Sequence, residues 1–150
     1  MRTIRRFEEL KVWKKARELA ALVYTLTRSE NFREDMNLSN QMRDCCVSVM
    51  ANVAEGFSRN SDKEFRRFLF IAKGSGAELQ SHSYVALDQK YLNLKDFEKL
   101  YENADHTCRM LSNLIKYLSK PIAKDSKDAR DSKDAHAPVA QGIERQPPEL

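Results

Sequence analysis

The sequence predicts an all-α protein that folds as an antiparallel up-down four-helix bundle. Residues 1–120 contain no proline, so nothing in this stretch prevents long helices. Apolar residues recur three and four positions apart in four successive segments, which is the periodicity of amphipathic helices. Short polar stretches separate these segments, and four helices joined by short loops favour an antiparallel bundle.

The first helix is predicted at residues 7–27 and the second at residues 38–54. The apolar positions of both helices recur at helical spacing. Those of the first helix are Leu10, Trp13, Ala16, Leu19, Ala20, Val23 and Leu26, and those of the second helix are Met42, Cys45, Cys46, Val49 and Val53. The polar stretch 28–37 reads as a loop. Gly56 suits a left-handed cap at the end of the second helix, with residues 57–60 as a linker.

The third helix is predicted at residues 62–90. Ser61 and Glu64 form the S-x-x-E pattern of a capping box directly before an apolar run. The buried face is predicted to contain Phe65, Phe68, Leu69, Ala72, Leu79, Ala86 and Leu87. Phe70, Ile71 and Tyr84 fall outside that face. The helix is therefore either central in the bundle or partly in contact with another subunit.

The fourth helix is predicted to begin at Asn93 and Asp96 and to end before Pro121. Its apolar seam is Leu94, Phe97, Leu100, Ala104, Cys108, Leu111, Leu114 or Ile115, and Leu118. These four segments assign the bundle to residues 1–120 and leave a tail at residues 121–150.

The tail differs in composition from the bundle. KDSKDA at 124–129 is followed by RDSKDA at 130–135, a tandem repeat with almost nothing apolar to bury, so we expect disorder. Residues 137–150 resemble a translated tRNA gene, and we hypothesise that the reading frame runs into one. Genomic DNA without an overlapping tRNA gene would refute this hypothesis.

The net charge of +4 is unevenly distributed along the chain. Residues 1–73 hold 15 Lys/Arg and 10 Asp/Glu, whereas residues 74–120 hold six of each. Such an excess favours a polyanion such as RNA or DNA, although a mildly basic protein without that partner fits the charge equally well.

No catalytic, cofactor or metal site is predicted. His82, His106 and His136 look isolated, without a carboxylate or cysteine at ligand spacing. Cys45, Cys46 and Cys108 form no C-x-x-C pair and resemble small core residues in a reducing compartment. Neither a signal peptide nor an 18-residue apolar run is recognisable, so we expect a cytoplasmic protein.

Several segments together resemble the bacterial 23S rRNA intervening-sequence proteins, the S23-type family. They are FEELKVWK at 7–14, SVMANVAEGF at 48–57, EFRRFL at 64–69 and AKGSGAEL at 72–79. The resemblance covers about residues 7–119. Met50 replaces a proline usual in the family, and Asp44, Cys45 and Cys46 replace a more basic stretch, which weakens the expectation of nucleic-acid binding but not of the fold.

The resemblance implies a four-helix bundle that assembles into a homopentameric ring with a basic surface and has no enzymatic activity. Family members are encoded within intervening sequences of 23S rRNA genes, which implies an association with nucleic acid. Relatives serve as accessory proteins of diversity-generating retroelements, where they bind a reverse transcriptase. The alternative function for this chain is therefore a scaffold for a reverse transcriptase.

Polar residues and glycines within the shared segments have both structural and functional interpretations. Asn52 and Glu55 either contact a ligand or RNA, or bond across the second and third helices or cap the turn at Gly56; the structural interpretation is favoured. Gly74 and Gly76 indicate close approach by a neighbouring helix, and Ala51 and Ala54 are the residues we expect opposite them. G-S-G lacks the lysine and the spacing of a phosphate-binding P-loop.

Two groups of basic residues are the candidate nucleic-acid-binding site. The first group lies on the first helix, and the second follows the second helix and continues into the third. Their members are Lys11, Lys14 and Lys15, then Arg59, Lys63, Arg66, Arg67 and Lys73. We expect binding through phosphates, largely independent of sequence.

Overall fold

A computed structural model describes residues 4–120 of the chain. Four helices account for most of this stretch: α1 (Lys11–Thr27), α2 (Met36–Ser58), α3 (Asp62–Asp88) and α4 (Leu94–Leu118). Two short 3-10 turns precede α1 and α2, at Phe7–Glu9 and Glu30–Phe32. Residues 4–120 contain no strand.

Contacts between side chains establish the up-down arrangement. Arg43 of α2 donates to the Thr27 hydroxyl at the end of α1, and the Ser48 and Ser75 hydroxyls meet between the middles of α2 and α3. Arg66 near the start of α3 reaches Ser119 just after α4. Each helix therefore runs antiparallel to the next, as the sequence predicted, and α1 packs beside α4 to close the bundle.

The core consists of two clusters, one toward each end of the bundle. The first lies around Leu19, Val23, Met42, Leu79 and Leu100, all fully buried. The second lies around Ala16, Val49, Val53, Leu69 and Leu111. These residues are almost all on the predicted apolar faces, because helical spacing places them on one side of each helix.

Side-chain caps fix the starts of three helices. The Ser61 hydroxyl accepts from the Glu64 N–H, and the Asn93 amide oxygen accepts from the Asp96 N–H at 2.8 Å, which confirms both predicted starts. The start of α2 was predicted two residues late, since Asp35 caps it by accepting from the Leu38 N–H. The start of α1 was predicted too early, because Leu10 is extended and separates the first turn from α1.

The predicted left-handed cap at Gly56 is wrong. Helix α2 continues to Ser58, and Gly56 is buried inside it. A Cβ at this position would lie 2.6 Å from Phe68 Cβ, so Gly56 permits the close approach of α3. Asn60 adopts the left-handed conformation instead, with φ 52°, in the turn between the two helices.

Helix α3 ends two residues before its predicted limit. Lys90 has φ 62°, and its N–H donates to the Leu87 carbonyl, while the Tyr91 N–H donates to the Ala86 carbonyl. These two bonds form a Schellman motif, in which the left-handed residue closes the helix.

Several large apolar side chains remain on the surface. Leu94 was predicted to lie in the seam of α4, but it is 61% exposed because it begins the helix beside the turn. Phe70, Ile71, Tyr84 and Val85 form an exposed set on α3, which we call the apolar stripe. The wide apolar arc of α3 is therefore not filled within one chain.

The predicted tail at residues 121–150, including His136, lies outside the described residues. Within the described part of the chain, no helix is both long enough and apolar enough to cross a membrane.

Candidate nucleic-acid interface

Charge in the bundle is segregated by end. The antiparallel topology brings together the N-terminal halves of α1 and α3 and the C-terminal halves of α2 and α4. These regions, residues 4–19, 47–75 and 106–120, are called the basic end here and hold 14 Lys/Arg and 6 Asp/Glu. The opposite end, called the acidic end, consists of residues 20–46 and 76–105. It holds 6 Lys/Arg and 10 Asp/Glu. Such a separation gives the basic end a positive field that attracts polyanions.

Three members of the second basic group lie beside an exposed aromatic ring in the first half of α3. Lys63, Arg66, Arg67, Phe70 and Ile71 line one shallow depression. Phe70 is 59% exposed, which is unusual for a large aromatic side chain in a folded chain. Cationic groups beside an accessible ring can hold phosphates and stack a base, the combination that single-stranded nucleic acid requires.

The arginines of the second basic group differ in how strongly they are already held by contacts within the protein. Arg67 is exposed, makes a loose ion pair with Glu64 at 3.5 Å and lies over the Phe68 ring at 5.8 Å from its centre. Arg59 is paired closely with Glu55 at 2.5 Å and lies over the Phe68 ring. Arg66 is half-buried and donates to the Ser119 hydroxyl, so it joins α3 to the end of α4. Lys63 and Arg67 are therefore the more available for phosphates.

The first basic group is only partly available. Lys11 and Lys14 are exposed on α1. Lys15 is largely covered, because its ammonium donates to the Asn103 side chain of α4 at 3.0 Å and to Glu18. Lys15 therefore connects α1 to α4, a contact that spacing within α1 does not reveal.

The two basic groups share an end of the bundle but not a face. Helix α1 packs against α2 and α4, whereas α3 packs against α2 and α4 from the opposite side. Lys11 and Lys14 are thus diagonal to Lys63 and Arg67. Lys73 is exposed one turn further along α3 than Phe70 and Ile71, toward the middle of that helix. A single strand would have to cross the end of the bundle to reach both groups.

Asn52 participates in a hydrogen-bond relay between α2 and α3. Its amide donates to the Ser48 carbonyl at 2.8 Å and to the Ser48 hydroxyl at 3.0 Å. The Ser48 hydroxyl lies 2.9 Å from that of Ser75 on α3. This arrangement supports the structural interpretation of Asn52. Glu55, by contrast, is exposed, and its carboxylate pairs with Arg59 four residues later in the chain, not with a residue of α3.

Gly74 and Gly76 do not play the same role. A Cβ at Gly74 would meet nothing within 4 Å, so the expected close approach is wrong for this residue. A Cβ at Gly76 would lie 2.5 Å from the Cys108 sulfur, so the close approach exists there. The neighbour is α4, however, and not Ala51 and Ala54 on α2.

His82 is not isolated, contrary to the sequence-based expectation. Cys45 Sγ on α2, a Glu78 carboxylate oxygen and a His82 ring nitrogen on α3 all lie within 4.8 Å of one another. Glu78 and His82 are four residues apart on one helix, a signal that was present in the sequence but overlooked. Cys45 could be added only from the pairing of α2 with α3.

Burial is the main influence on the thiol pKa of the two adjacent cysteines on α2. It raises the pKa of the Cys45 thiol to about 12, with the Glu78 carboxylate as a further cause, and it raises the pKa of Cys46 to about 11. All three cysteines are free; Cys45 and Cys46 are buried as predicted, whereas Cys108, also predicted in the core, is only partly buried. His106 is exposed on α4.

The fold and the charged end define a small helical-bundle protein whose described residues present a surface suited to binding, with a basic end and an apolar stripe. The sequence matches the family model of the 23S rRNA-intervening sequence proteins over residues 8–113, and the chain belongs to this family.

A solved structure from Bacteroides thetaiotaomicron has the same fold. It is described as a protein of unknown function from the S23 ribosomal protein family. It superimposes with a TM-score of 0.64 at 20% sequence identity, covering 70% of this chain and 98% of that chain. No curated protein matches the sequence significantly.

Proposed function

We propose that this protein is a non-enzymatic, cytoplasmic, oligomeric bundle that binds RNA or DNA through its basic end without strong sequence specificity. The observation that carries the proposal is the end-to-end segregation of charge, with 14 Lys/Arg against 6 Asp/Glu at one end. Three free cysteines fit a reducing compartment.

The depression on α3 supplies the chemistry for a single strand. Lys63 and Arg67 contact phosphates, and a base stacks on the exposed Phe70 ring. Phosphate contacts carry no sequence information and every base has an aromatic face, so this mode of binding tolerates many sequences.

The part of the apolar stripe outside the RNA-binding depression supports self-assembly. Tyr84 and Val85 form this part and are 50% and 43% exposed, whereas Phe70 and Ile71 line the depression. A second copy that covers Tyr84 and Val85 would remove apolar surface from water and would repeat the basic ends around a ring. A homopentamer is the assembly that the family resemblance implies. The same stripe is also the surface on which a reverse transcriptase would dock in the alternative function.

Charge reversal tests the placement of the interface. The double variant Lys63→Glu/Arg67→Glu should bind a short fluorescent single-stranded RNA at least about tenfold more weakly, a change of about 1.4 kcal/mol. Its salt dependence should also become shallower, because each lost phosphate contact lowers the slope by about 0.7. Fluorescence anisotropy across a series of salt concentrations measures both quantities.

The matched control is Lys95→Glu/Lys99→Glu, which makes the same change of charge at the acidic end. Both lysines are exposed on α4. This control should bind nearly as tightly as the unmodified protein. Equal losses in the two double variants would mean that only net charge matters, and the basic end would not be the interface.

A further inference from the structure

A cluster of three potential metal ligands lies at the α2–α3 seam, toward the acidic end and apart from the proposed RNA interface. The Cys45 sulfur, the Glu78 carboxylate and the His82 imidazole lie within 4.8 Å of one another. From this geometry we propose that Cys45, Glu78 and His82 bind a zinc ion, with a water molecule or another ligand completing the coordination.

The ligand types select the metal. Zinc binds thiolate sulfur, imidazole nitrogen and carboxylate oxygen, commonly with four ligands in a tetrahedron. Magnesium and calcium prefer oxygen ligands only, so a Cys–His pair disfavours them. The three side chains therefore favour zinc among the abundant divalent cations.

The distances are close to those of a coordination site. His82 Nε2 and Glu78 Oε1 are 3.5 Å apart. Two ligands about 2.1 Å from a tetrahedral metal are about 3.4 Å apart, so this edge already fits. The remaining separations, up to 4.8 Å, require only a shift of about 1 Å in side chains that sit on two rigid helices.

The surroundings leave His82 in need of a partner. Its Nε2 is buried and has no hydrogen-bond partner among the described residues. An unsatisfied buried polar atom costs free energy, which a bond to a metal would remove. Cys45 is buried behind it, while the Glu78 side chain is 60% exposed. In the single chain, the ion would thus enter past Glu78, the exposed member of the cluster.

When zinc binds, it replaces the proton on the Cys45 sulfur atom. The Cys45 S–H bond breaks, the proton passes to the buffer, and the sulfur electron pair forms the bond to zinc. His82 donates the Nε2 lone pair and keeps its proton on Nδ1. No oxidant or reductant is required.

Cobalt(II) provides a direct readout because its complexes with thiolates absorb in the near ultraviolet. We expect the reduced full-length chain, without a polyhistidine tag, to bind one equivalent of Co²⁺ with this thiolate band. Added Zn²⁺ should displace the cobalt and remove the band. Cys45→Ala should abolish the band, and His82→Gln should weaken Zn²⁺ binding more than tenfold, since even outer-shell partners cost about 10- to 100-fold.

Cys46→Ala is the matched control, because Cys46 is the adjacent buried cysteine but lies outside the cluster. It should retain the thiolate band at one equivalent, and so should Cys108→Ala. Circular dichroism verifies that each variant is helical, and if Cys45→Ala does not fold, His82→Gln decides alone. The proposal is overturned if the unmodified chain gives no thiolate band, if the band survives in Cys45→Ala, or if His82→Gln binds Zn²⁺ normally.

Discussion

At the scale of single residues, the glycines of the bundle have different surroundings. Gly56 is buried against Phe65 and Phe68, whereas Gly74 is exposed with open space where a side chain would be. A glycine within a helix costs about 1 kcal/mol relative to alanine. Close packing against α3 offsets that cost at Gly56, and no contact within the chain offsets it at Gly74.

Gly56→Ala should therefore lower the free energy of unfolding by about 1–3 kcal/mol, because its Cβ would press on Phe68 Cβ, which cannot move without the backbone. Gly74→Ala is the control and should not lower it. Urea unfolding followed by circular dichroism measures both. Equal stability of the two variants would contradict the proposed packing of α2 on α3.

Sequence alone predicted that Asn52 bonds across the second and third helices or caps the turn at Gly56, whereas its amide donates to Ser48. Its partner Ser48 lies on the same helix, and only the contact of Ser48 with Ser75 links it to α3. The Lys15–Asn103 contact and the position of Cys45 beside Glu78 and His82 were missed for the same reason, whereas the four-residue spacing of Glu78 and His82 was visible in the sequence. Helical spacing predicts which residues share a face, but not which residue of another helix lies opposite.

At the scale of the elements, local chemistry determines where the helices begin and end. Ser61 and Asn93 cap α3 and α4, and both were predictable because a capping side chain acts on a backbone N–H three residues away. The ends of α2 and α3 were predicted less well, since Asn60 and Lys90 take left-handed conformations in place of glycine.

Lys90→Gly should raise the free energy of unfolding by about 1 kcal/mol, because a non-glycine residue in the left-handed region is strained by about 1–2 kcal/mol. The same substitution at Lys99, an exposed position inside α4, should lower it by about 1 kcal/mol. Thermal and urea unfolding of the two variants measure these opposite signs. A loss of stability in Lys90→Gly would contradict the Schellman ending of α3.

At the scale of the whole molecule, the bundle was predictable and the distribution of charge was not fully so. The sequence showed an excess of positive charge in residues 1–73. The topology redistributes that excess, because α1 and α3 start at the end where α2 and α4 finish. Lys116 and Lys120, far along the sequence, thereby join the basic end.

The Tyr84 and Val85 part of the apolar stripe is where we expect subunits to meet, because Phe70 and Ile71 line the RNA-binding depression. Val85→Glu places a charge on the stripe and should dissociate the oligomer while the chain stays helical, because a buried unpaired charge is costly at an interface. Leu94→Glu, at an exposed apolar residue outside the stripe, should leave the oligomer intact. Light scattering gives the mass of each variant. Dissociation of both variants, or of neither, would place the subunit contact elsewhere.

Size-exclusion chromatography with light scattering, run with and without a short single-stranded RNA at low salt, tests the assembly and the RNA binding together. We expect the mass of five chains and a shift to a larger complex when RNA is added. A monomer whose mass is unchanged by RNA would contradict both the assembly and the nucleic-acid-binding function.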